Sequence, residues 1–321
     1  PVNHPHDVAM DSNNAHWATE YNNSRLKKYN AGGKLLKEIS GGGGSGQKQF
    51  RHPGKVAVDS GDNVYFIDTG NRRILSYDSS GNWRCTSSIF PNNSTHTYAD
   101  IEVTTNNTII VNQQNVVYTY NTGCSLTSTV TPNSSYYTRV GSHAIDQNNK
   151  SFYFDSVSLT LTRFDNTSAY FTTAEKTEAN LTHKSSLGTP YDIEVDASNR
   201  LYILSSTTHK IYVYNATTFD HLCTIGDGYG SRTDKGQLRN ARGFSVLGDK
   251  VFVGDTDNSR IVKFLMSSTC TGGANLTGNT SFDGLYGKSE RRIAIARRVL
   301  KKLVADTALT TGAFNVADNA I

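Results

Sequence analysis

The sequence contains no long apolar run and few residues of several types. None of its 321 residues lies in a stretch of 18 or more apolar residues, which predicts that no helix spans a membrane. It has 6 Pro and 4 Cys, and the cysteines never form a C-x-x-C pair, which argues against a zinc site built from them. The segment GGGGSG at 41–46 lacks the Lys-Ser/Thr that follows in phosphate-binding loops. These absences exclude several common cofactor sites.

The first ten residues lack both an initiating Met and a basic-then-apolar signal pattern. We therefore expect a processed chain or a fragment.

Most of the chain also carries no net charge. The total is +4, and the region from Lys288 onward holds seven cations against three anions, so residues 1–287 sum to zero. A neutral body argues against a broad phosphate-binding face, and hence against nucleic acid as a partner.

What the sequence does contain is a repeat. The segment KVAVDSGDNVYFIDTGNRRILSYDSSGN at 55–82 recurs clearly from His6, Tyr191 and Arg242, and more weakly from Ala99 and Ser142. An aromatic residue closes the third strand of each copy, at intervals of 43 to 50 residues: Tyr29, Tyr77, Tyr120, Phe164, Tyr214 and Phe264. Units of this length with short alternating strands predict an all-β, six-bladed β-propeller. The blades are expected at about 2–46, 47–90, 91–130, 131–180, 181–226 and 227–270.

The motif F-x-x-P-x-x-V-A-V-D, followed by N-V-Y-x-x-D-T-G-N-x-R-I, resembles the NHL repeat. The resemblance covers residues 2–270 and is strong in blades 1, 2, 5 and 6. Blades 3 and 4 lack the Asp-x-Gly-Asn and Asn-x-Arg signatures, so their boundaries are less defined. The family implies a six-bladed propeller whose members include both binding proteins and enzymes.

Two sets of charged residues recur at fixed positions in the copies. The acids end inner strands before turns and are Asp11, Asp59, Asp146 and Asp196. The bases share one turn position and are Arg25, Arg73, Lys210 and Arg260. A catalytic site needs different groups that converge once, so this repetition favours a structural role, with the acids accepting backbone N–H groups.

The residues just before the inner strands are where a catalytic metal site would be expected. By alignment this ring consists of His4, His52, Thr97, Arg139, Thr189 and Asn240. The NHL repeat resembles that of peptidyl-amidoglycolate lyases, whose propellers hold a metal with histidines from separate blades. His4 and His52 are therefore candidate metal ligands, with His6, His96 or His143 as a third, although a zinc site of this kind needs three protein ligands. We expect no cofactor and assign no catalytic residue.

Cysteines and glycosylation sequons indicate the compartment. An even cysteine number near neighbouring blades predicts disulfides and an oxidising environment, with Cys85–Cys124 and Cys223–Cys270 as the favoured pairs among three connectivities. Eleven Asn-x-Ser/Thr sequons occur, a modest excess over chance. They are Asn22, Asn92, Asn93, Asn106, Asn133, Asn149, Asn166, Asn180, Asn215, Asn275 and Asn279. We expect an extracellular or cell-surface glycoprotein.

The sequence changes character after Cys270. Residues 271–288 are rich in Gly, Ser, Thr and Asn and predict a linker, and 289–321 predict an amphipathic α-helix that is the start of a further domain or a packed tail. Its basic side chains could contact a membrane surface or an acidic partner: Arg291, Arg292, Arg297, Arg298, Lys301 and Lys302. The sequence of residues 291–313 also resembles the first helix of von Willebrand A-like domains in type IV pilus tip adhesins, but the D-x-S-x-S metal motif of those domains is missing.

The start of the chain predicts an unusual ring closure. No strand precedes the inner strand of blade 1, so residues 267–275 must supply the fourth strand of blade 6 or leave an open edge. An open edge invites strand addition from another chain, which suggests a homopolymer that uses this edge or the tail.

Three hypotheses of function follow. The first is a non-catalytic extracellular module, in a surface adhesin or a self-assembling filament, whose propeller loops bind a protein or glycan. The alternatives are a metal-dependent lyase and an RNA-binding NHL propeller.

Overall fold

The structure is a computed structural model that describes residues 2–90, 99–113, 116–131, 142–155, 157–166, 173–230, 236–266, 270, 274–275 and 282–285. Within these ranges the chain forms six antiparallel sheets arranged as the blades of a propeller. The predicted all-β, six-bladed fold is therefore confirmed. No helix among the described residues is long and apolar enough to cross a membrane.

The first three blades each contain four strands in sequence order. Blade 1 comprises β1 (Pro5–Met10), β2 (His16–Glu20), β3 (Arg25–Tyr29) and β4 (Leu35–Ser40); blade 2 comprises β5 (Pro53–Val58), β6 (Val64–Asp68), β7 (Arg73–Tyr77) and β8 (Trp83–Thr86); blade 3 comprises β9 (Ala99–Val103), β10 (Ile109–Gln113), β11 (Val116–Tyr120) and β12 (Leu126–Val130). The first strand of each blade is the inner one.

The second half of the ring repeats this plan with additions. Blade 4 comprises β13 (His143–Ile145), β14 (Lys150–Asp155), β15 (Thr160–Asp165) and β16 (Thr173–Glu178), and a single helical turn, α1 (Lys184–Leu187), follows it. Blade 5 comprises β17 (Asp192–Val195), β18 (Arg200–Leu204), β19 (Ile211–Asn215) and β20 (His221–Ile225), followed by a short parallel pair, β21 (Gly228–Tyr229) and β22 (Gln237–Leu238). Blade 6 contains β23 (Gly243–Leu247), β24 (Lys250–Asp255) and β25 (Arg260–Leu265), and the chain ends its described part with β26 (Ala274–Asn275) and β27 (Phe282–Leu285).

The hydrophobic core is divided into seams between blades. Each of six buried apolar clusters joins two neighbouring blades, including one between blades 6 and 1 that contains Val8, Ala18, Phe252 and Ile261. The inner strands also contact one another in a closed ring in which β23 lies beside β1. Because a small sheet cannot bury both faces alone, each blade depends on its neighbours for stability.

The aromatic residue of the repeat marks a β-bulge. In every blade the register between the third strand and its outer partner shifts at this residue, for example between Ser76 and Tyr77. The six aromatic side chains are all buried. A bulge increases local twist, so the repeated aromatic lies where the blade bends and fills the seam beside it.

The fourth strand of blade 6 differs from the prediction. It is β27, which pairs with β25, whereas residues 274–275 pair in parallel with β20 and add a fifth strand to blade 5. The disulfide between Cys270 and Cys223 of β20 explains this difference, because it holds the chain after β25 against blade 5. Both strands fall within residues 271–288, which were predicted to be a linker. The expected edge of blade 6 is thus paired with β27.

The predicted amphipathic helix at 289–321 lies outside the described residues, as do its six basic residues from Arg291 to Lys302. It stays a prediction.

Candidate functional site: the mouth of the axial channel

A cavity of about 140 Å³ lies on the propeller axis, lined by residues of all six inner strands. Its polar lining is dominated by carboxyl groups, those of Asp7, Asp100, Glu102, Asp192 and Glu194. Each inner strand contributes because its alternate residues point toward the axis.

One aligned position of the repeat, in or just before each inner strand, forms what we call the channel ring: Asp7, Lys55, Asp100, Ser142, Asp192 and Gly243. Acids occupy this position in blades 1, 3 and 5, and each acid joins two blades. Asp7 accepts backbone N–H groups from Val8 of its own blade at 2.9 Å and Val56 of the next blade at 2.8 Å. Asp100 and Asp192 repeat this pattern toward blades 4 and 6. The ring therefore fastens the inner strands in pairs.

Lys55 supplies the positive charge of the channel ring. Its ammonium forms an ion pair with Asp192 and is buried. Burial alone would lower the pKa of Lys55, but the carboxylates of Asp192, Asp7 and Asp100 outweigh burial and raise this pKa. The lysine is thus held in its charged form at the centre of the ring.

The carboxyl groups of the channel differ in the direction in which their pKa values are shifted. Burial would raise the pKa of Asp100, but Lys55 and the contacts with His143 and Ser142 outweigh it and lower that pKa. Burial raises the pKa of Asp7 and of Asp192, although Lys55 partly offsets it. Burial and neighbouring carboxylates raise the pKa values of Glu102 and Glu194 well above their usual range. Like charges crowded beside one lysine disfavour full ionisation, which agrees with the raised pKa values of these four groups.

Gly243 completes the ring because nothing larger fits. A Cβ atom at this position would lie 1.8 Å from Oδ1 of Asp7. The alternation of acids with Lys, Ser and Gly is therefore a packing requirement as well as an electrostatic one.

Above the ring, five half-buried side chains form what we call the mouth arc: Tyr191, Arg242, His6, Tyr21 and His52. They come from blades 5, 6, 1 and 2, which are consecutive around the axis. Tyr21 stacks between His6 and His52, with ring centroids 5.3 and 4.7 Å away. The Arg242 guanidinium carbon lies 5.7 Å above the ring of Tyr191. The arc thus comprises two stacked groups, His6–Tyr21–His52 and Tyr191–Arg242, at the end of the channel where the inner strands begin.

The arc carries its positive charge on Arg242. Burial, Lys55 and Arg242, in that order, lower the pKa of His6 to about 3, so this imidazole is neutral at physiological pH. Its Nδ1 is buried without a hydrogen-bond partner in the described part of the chain. Tyr191 is oriented by a hydrogen bond of 2.9 Å from its hydroxyl to Oδ1 of Asn240.

The candidate metal ligands are not assembled into a metal site within the described ranges. Nδ1 of His4 is paired with Oδ1 of Asn3 at 2.8 Å, and His52 stacks on Tyr21. Both residues share a left-handed backbone with Asn240, which confirms that they occupy equivalent positions. No group of three or more His, Cys, Asp or Glu side chains that could hold a metal occurs among the residues described. Thr97, Arg139 and His96 lie outside them, and His143 is buried beside Asp100.

The recurrent acids and two of the recurrent bases have structural roles. Oδ1 of Asp59, for example, accepts the N–H groups of Gly61 and Asn63, and Asp11, Asp146 and Asp196 do the same in their own turns. Arg73 joins Asp68 of its own blade to the carbonyl groups of Gly46 and Gln49 in the preceding connection. Arg260 joins Asp255 to Gln237 in the same way. Arg25 instead pairs with Glu38 on β4.

The cysteines form two disulfides, Cys85–Cys124 and Cys223–Cys270, with Cα separations of 5.9 and 5.3 Å. They join blades 2 and 3 and blades 5 and 6. The predicted disulfides are therefore confirmed, and each reinforces a seam.

The sequons differ in accessibility. Asn22, Asn106 and Asn180 are exposed, and Asn149 and Asn215 are half-buried. Asn166 is buried and its amide nitrogen donates to the Ser151 hydroxyl, so this sequon cannot carry a glycan in the folded chain. Asn275 belongs to β26, and the remaining four, Asn92, Asn93, Asn133 and Asn279, lie outside the described residues.

The repeat pattern alone did not single out the channel ring, Tyr21, Tyr191 or Arg242. The channel ring lies three positions after the ring of residues that includes His4 and His52, and His6, Tyr191 and Arg242 lie two positions after it, whereas Tyr21 lies in the turn after β2 and has no such offset. Extending the repeat alignment by these offsets reveals the alternation of acids, which is the signal that was available.

Comparison with known proteins identifies the fold. No protein-family model and no curated protein matches the chain. A streptogramin B lyase has a TM-score of 0.57 and 13% identity, over 90% of this chain and 84% of that chain. A virginiamycin B lyase from Staphylococcus aureus has a TM-score of 0.54 and 14% identity, over 89% and 84%. A functionally unknown protein from Desulfotomaculum acetoxidans has a TM-score of 0.55 and 15% identity, over 84% and 87%. At these identities the likeness shows a shared propeller fold and leaves activity to be argued from the site.

Proposed function

We propose that the chain is a non-catalytic binding module of an extracellular assembly, such as the scaffold of a surface adhesin, and that its ligand docks at the mouth arc. The observation that carries this proposal is the pair of stacked groups, His6–Tyr21–His52 and Tyr191–Arg242, that four consecutive blades contribute to the mouth. The channel beneath is occupied by the internal ion pair and hydrogen bonds of the channel ring. Recognition therefore belongs to the mouth and its loops.

Two observations support the extracellular location. Both disulfides join neighbouring blades, and structural disulfides persist in oxidising compartments. Three sequons, at Asn22, Asn106 and Asn180, are exposed on the folded chain and can accept glycans.

A glycan array tests the binding function. The whole chain is applied to an array of neutral and acidic glycans beside a double variant, Tyr21→Ala with Arg242→Gln, and a control variant, Lys37→Gln. Lys37 is exposed on β4, so the control removes one positive charge outside the arc. We expect the double variant to lose binding and the control to retain it. Equal binding by all three proteins, or no binding by the unaltered chain, would contradict a glycan-binding mouth.

A metal-dependent lyase is the second candidate. Three histidines, His4, His6 and His52, lie at the start of adjacent inner strands near the mouth, and the fold resembles that of a streptogramin B lyase. Metal analysis of the purified chain separates the candidates. Stoichiometric zinc that is lost in His52→Ala would favour the lyase, and its absence would favour the binding module.

Self-assembly is proposed through the tail rather than through blade 6. The edge of β25 is paired with β27, so the reason to expect strand addition there is weaker. Light scattering of the whole chain and of a chain ending at residue 288 tests this proposal. Association that disappears on truncation supports it, and a whole chain that stays monomeric at high concentration overturns it.

A further inference from the structure

We propose that the mouth arc binds a sugar that carries a carboxylate, a hexuronate, and that Arg242 is its anchor. This inference rests on the proposed binding function and assigns the class of its ligand.

The first observation is the unpaired guanidinium. Arg242 is half-buried, yet in the described part of the chain it has neither a hydrogen-bond acceptor nor an ion-pair partner, and its contact is the face of Tyr191. Arg73 and Arg200 are paired with Asp68 and Asp196, whereas Arg239 also stacks on a tyrosine, Tyr229, but is exposed, so Arg242 differs from it in being half-buried. A guanidinium presents its N–H donors in a planar fork that matches a carboxylate with two parallel hydrogen bonds. Arg242 thus offers this fork at the mouth.

The second observation is that the charges below the arc do not oppose an anion. Asp100 is ionised beside Lys55, whereas burial raises the pKa values of Asp7 and Asp192 and those of Glu102 and Glu194. Burial thus favours the uncharged form of several carboxyl groups below the arc, and Lys55 offsets the charge of Asp100. His6 is neutral, so Arg242 is the charge that an arriving carboxylate meets in the arc.

The third observation is the chemistry of the arc itself. Its five side chains are aromatic or cationic, and none is aliphatic. Tyr21 stacks against both His6 and His52, so the ring beside the anchor that remains for the C–H face of a sugar is that of Tyr191. The Tyr191 hydroxyl, which donates to Oδ1 of Asn240, can still accept a hydrogen bond from a sugar hydroxyl group.

An NMR-detected titration of the whole chain tests the inference with three probes: glucuronate, glucose and acetate. Glucuronate and glucose differ at one carbon, which carries the carboxylate. We expect glucuronate to bind at least tenfold more tightly than glucose or acetate, with shifts at Tyr21 and Arg242. Arg242→Gln should remove the preference for glucuronate, Arg242→Lys should restore part of it, and Lys37→Gln should leave it unchanged.

The outcomes separate the inference from the function on which it rests. Equal affinity for glucuronate and glucose, or a preference that survives in Arg242→Gln, overturns the anchor while sugar binding at the arc stands. Acetate binding as tightly as glucuronate overturns the sugar and leaves a general carboxylate site. If neither sugar binds, the hexuronate assignment fails, and the glycan array then decides on the binding function. Thermal unfolding of each variant verifies that it is folded, and Arg242→Lys provides a second variant if Arg242→Gln is not.

Discussion

At the scale of single residues, Lys55 has the largest electrostatic role in the channel ring. It is 7% exposed and faces three buried aspartates that fasten the inner strands. Lys55→Met leaves those carboxylates without a counter-charge, so we expect the free energy of unfolding to fall by roughly 3–5 kcal/mol, as when one partner of a buried pair is removed. Urea denaturation measures this loss. Lys37→Met, on the exposed surface of β4, is the control and should change stability by less than about 0.5 kcal/mol. Equal losses in the two variants would show that the ring does not depend on its cation.

Gly243 tests the packing of the same ring. A methyl group there would collide with the Asp7 carboxylate, which is held by two backbone N–H groups and cannot move freely. We expect Gly243→Ala to lower the free energy of unfolding by about 1–3 kcal/mol. Gly32→Ala is the matched control, because its Cβ would lie 3.5 Å from Asn30, an ordinary contact. A Gly243→Ala variant as stable as Gly32→Ala would mean that the inner strands can spread apart.

The sequence predicts framework residues better than it predicts the site. Asp59 and Arg73 recur with their turns, and each bonds groups within its own blade or the adjoining connection, so a local pattern is enough to assign them. The channel ring consists of residues 42 to 51 positions apart that meet only on the axis. Arg242 and Tyr191 likewise become neighbours only when blades 5 and 6 pack together. The site therefore depends on the closed ring, which no single repeat contains.

At the scale of elements, the strands follow the sequence pattern closely until blade 6. Blades 3 and 4 have the same strand order as the others although they lack the family signatures, because alternation and the buried aromatic at the bulge suffice to form them. The departure comes after β25, where β26 pairs with blade 5 and β27 with blade 6. Residues 271–281 are rich in glycine and threonine, and such sequence gives little indication of strand pairing. The pairing depends on the disulfide and on the edge of β25 that β27 covers.

The disulfide at blades 5 and 6 should control the strands that follow it. Replacing both Cys223 and Cys270 by Ser frees the chain after β25, so we expect hydrogen exchange of Ala274 and Asn275 in β26 to become faster while the inner strands stay protected. The control is the matched double replacement of Cys85 and Cys124 by Ser. The disulfide that it removes joins blades 2 and 3, so hydrogen exchange of β26 should not change. Unchanged exchange of β26 in the first variant would show that strand pairing, rather than the disulfide, holds this segment.

At the scale of the whole molecule, the ring is closed by packing between blades 6 and 1, and among the described strands none from the start of the chain pairs with blade 6. The apolar seam of Val8, Ala18, Phe252 and Ile261 is one part of this closure. Polar bonds across it form the other part: the Ser259 hydroxyl accepts the backbone N–H of His4 at 3.3 Å, and the Thr256 hydroxyl donates to the Pro5 carbonyl group at 2.7 Å. Because Arg242 and His6 belong to the blades on either side of this seam, we expect the relative position of the two groups of the mouth arc to depend on it.

His16 makes this closure sensitive to acid. It is fully buried near the seam, with ring centroids 5.5 Å from Tyr29 and 4.9 Å from Phe252, and burial followed by Lys263 lowers its pKa to about 3. In the unfolded chain the pKa is 6.5. Between these values the unfolded chain binds a proton that the folded chain does not. The free energy of unfolding should therefore fall as pH decreases through this window, with His16 contributing up to about 1.4 kcal/mol per pH unit.

Urea denaturation between pH 4 and 6 measures that slope in the whole chain and in His16→Leu. Because leucine cannot be protonated, we expect the variant to show a shallower slope, whatever its stability at pH 7. Phe252→Leu is the control, since it loosens the same seam without removing a titrating group and should lower stability by a similar amount at every pH. A His16→Leu slope equal to that of the unaltered chain would assign the acid sensitivity to other groups, among them His6, whose pKa is also lowered to about 3.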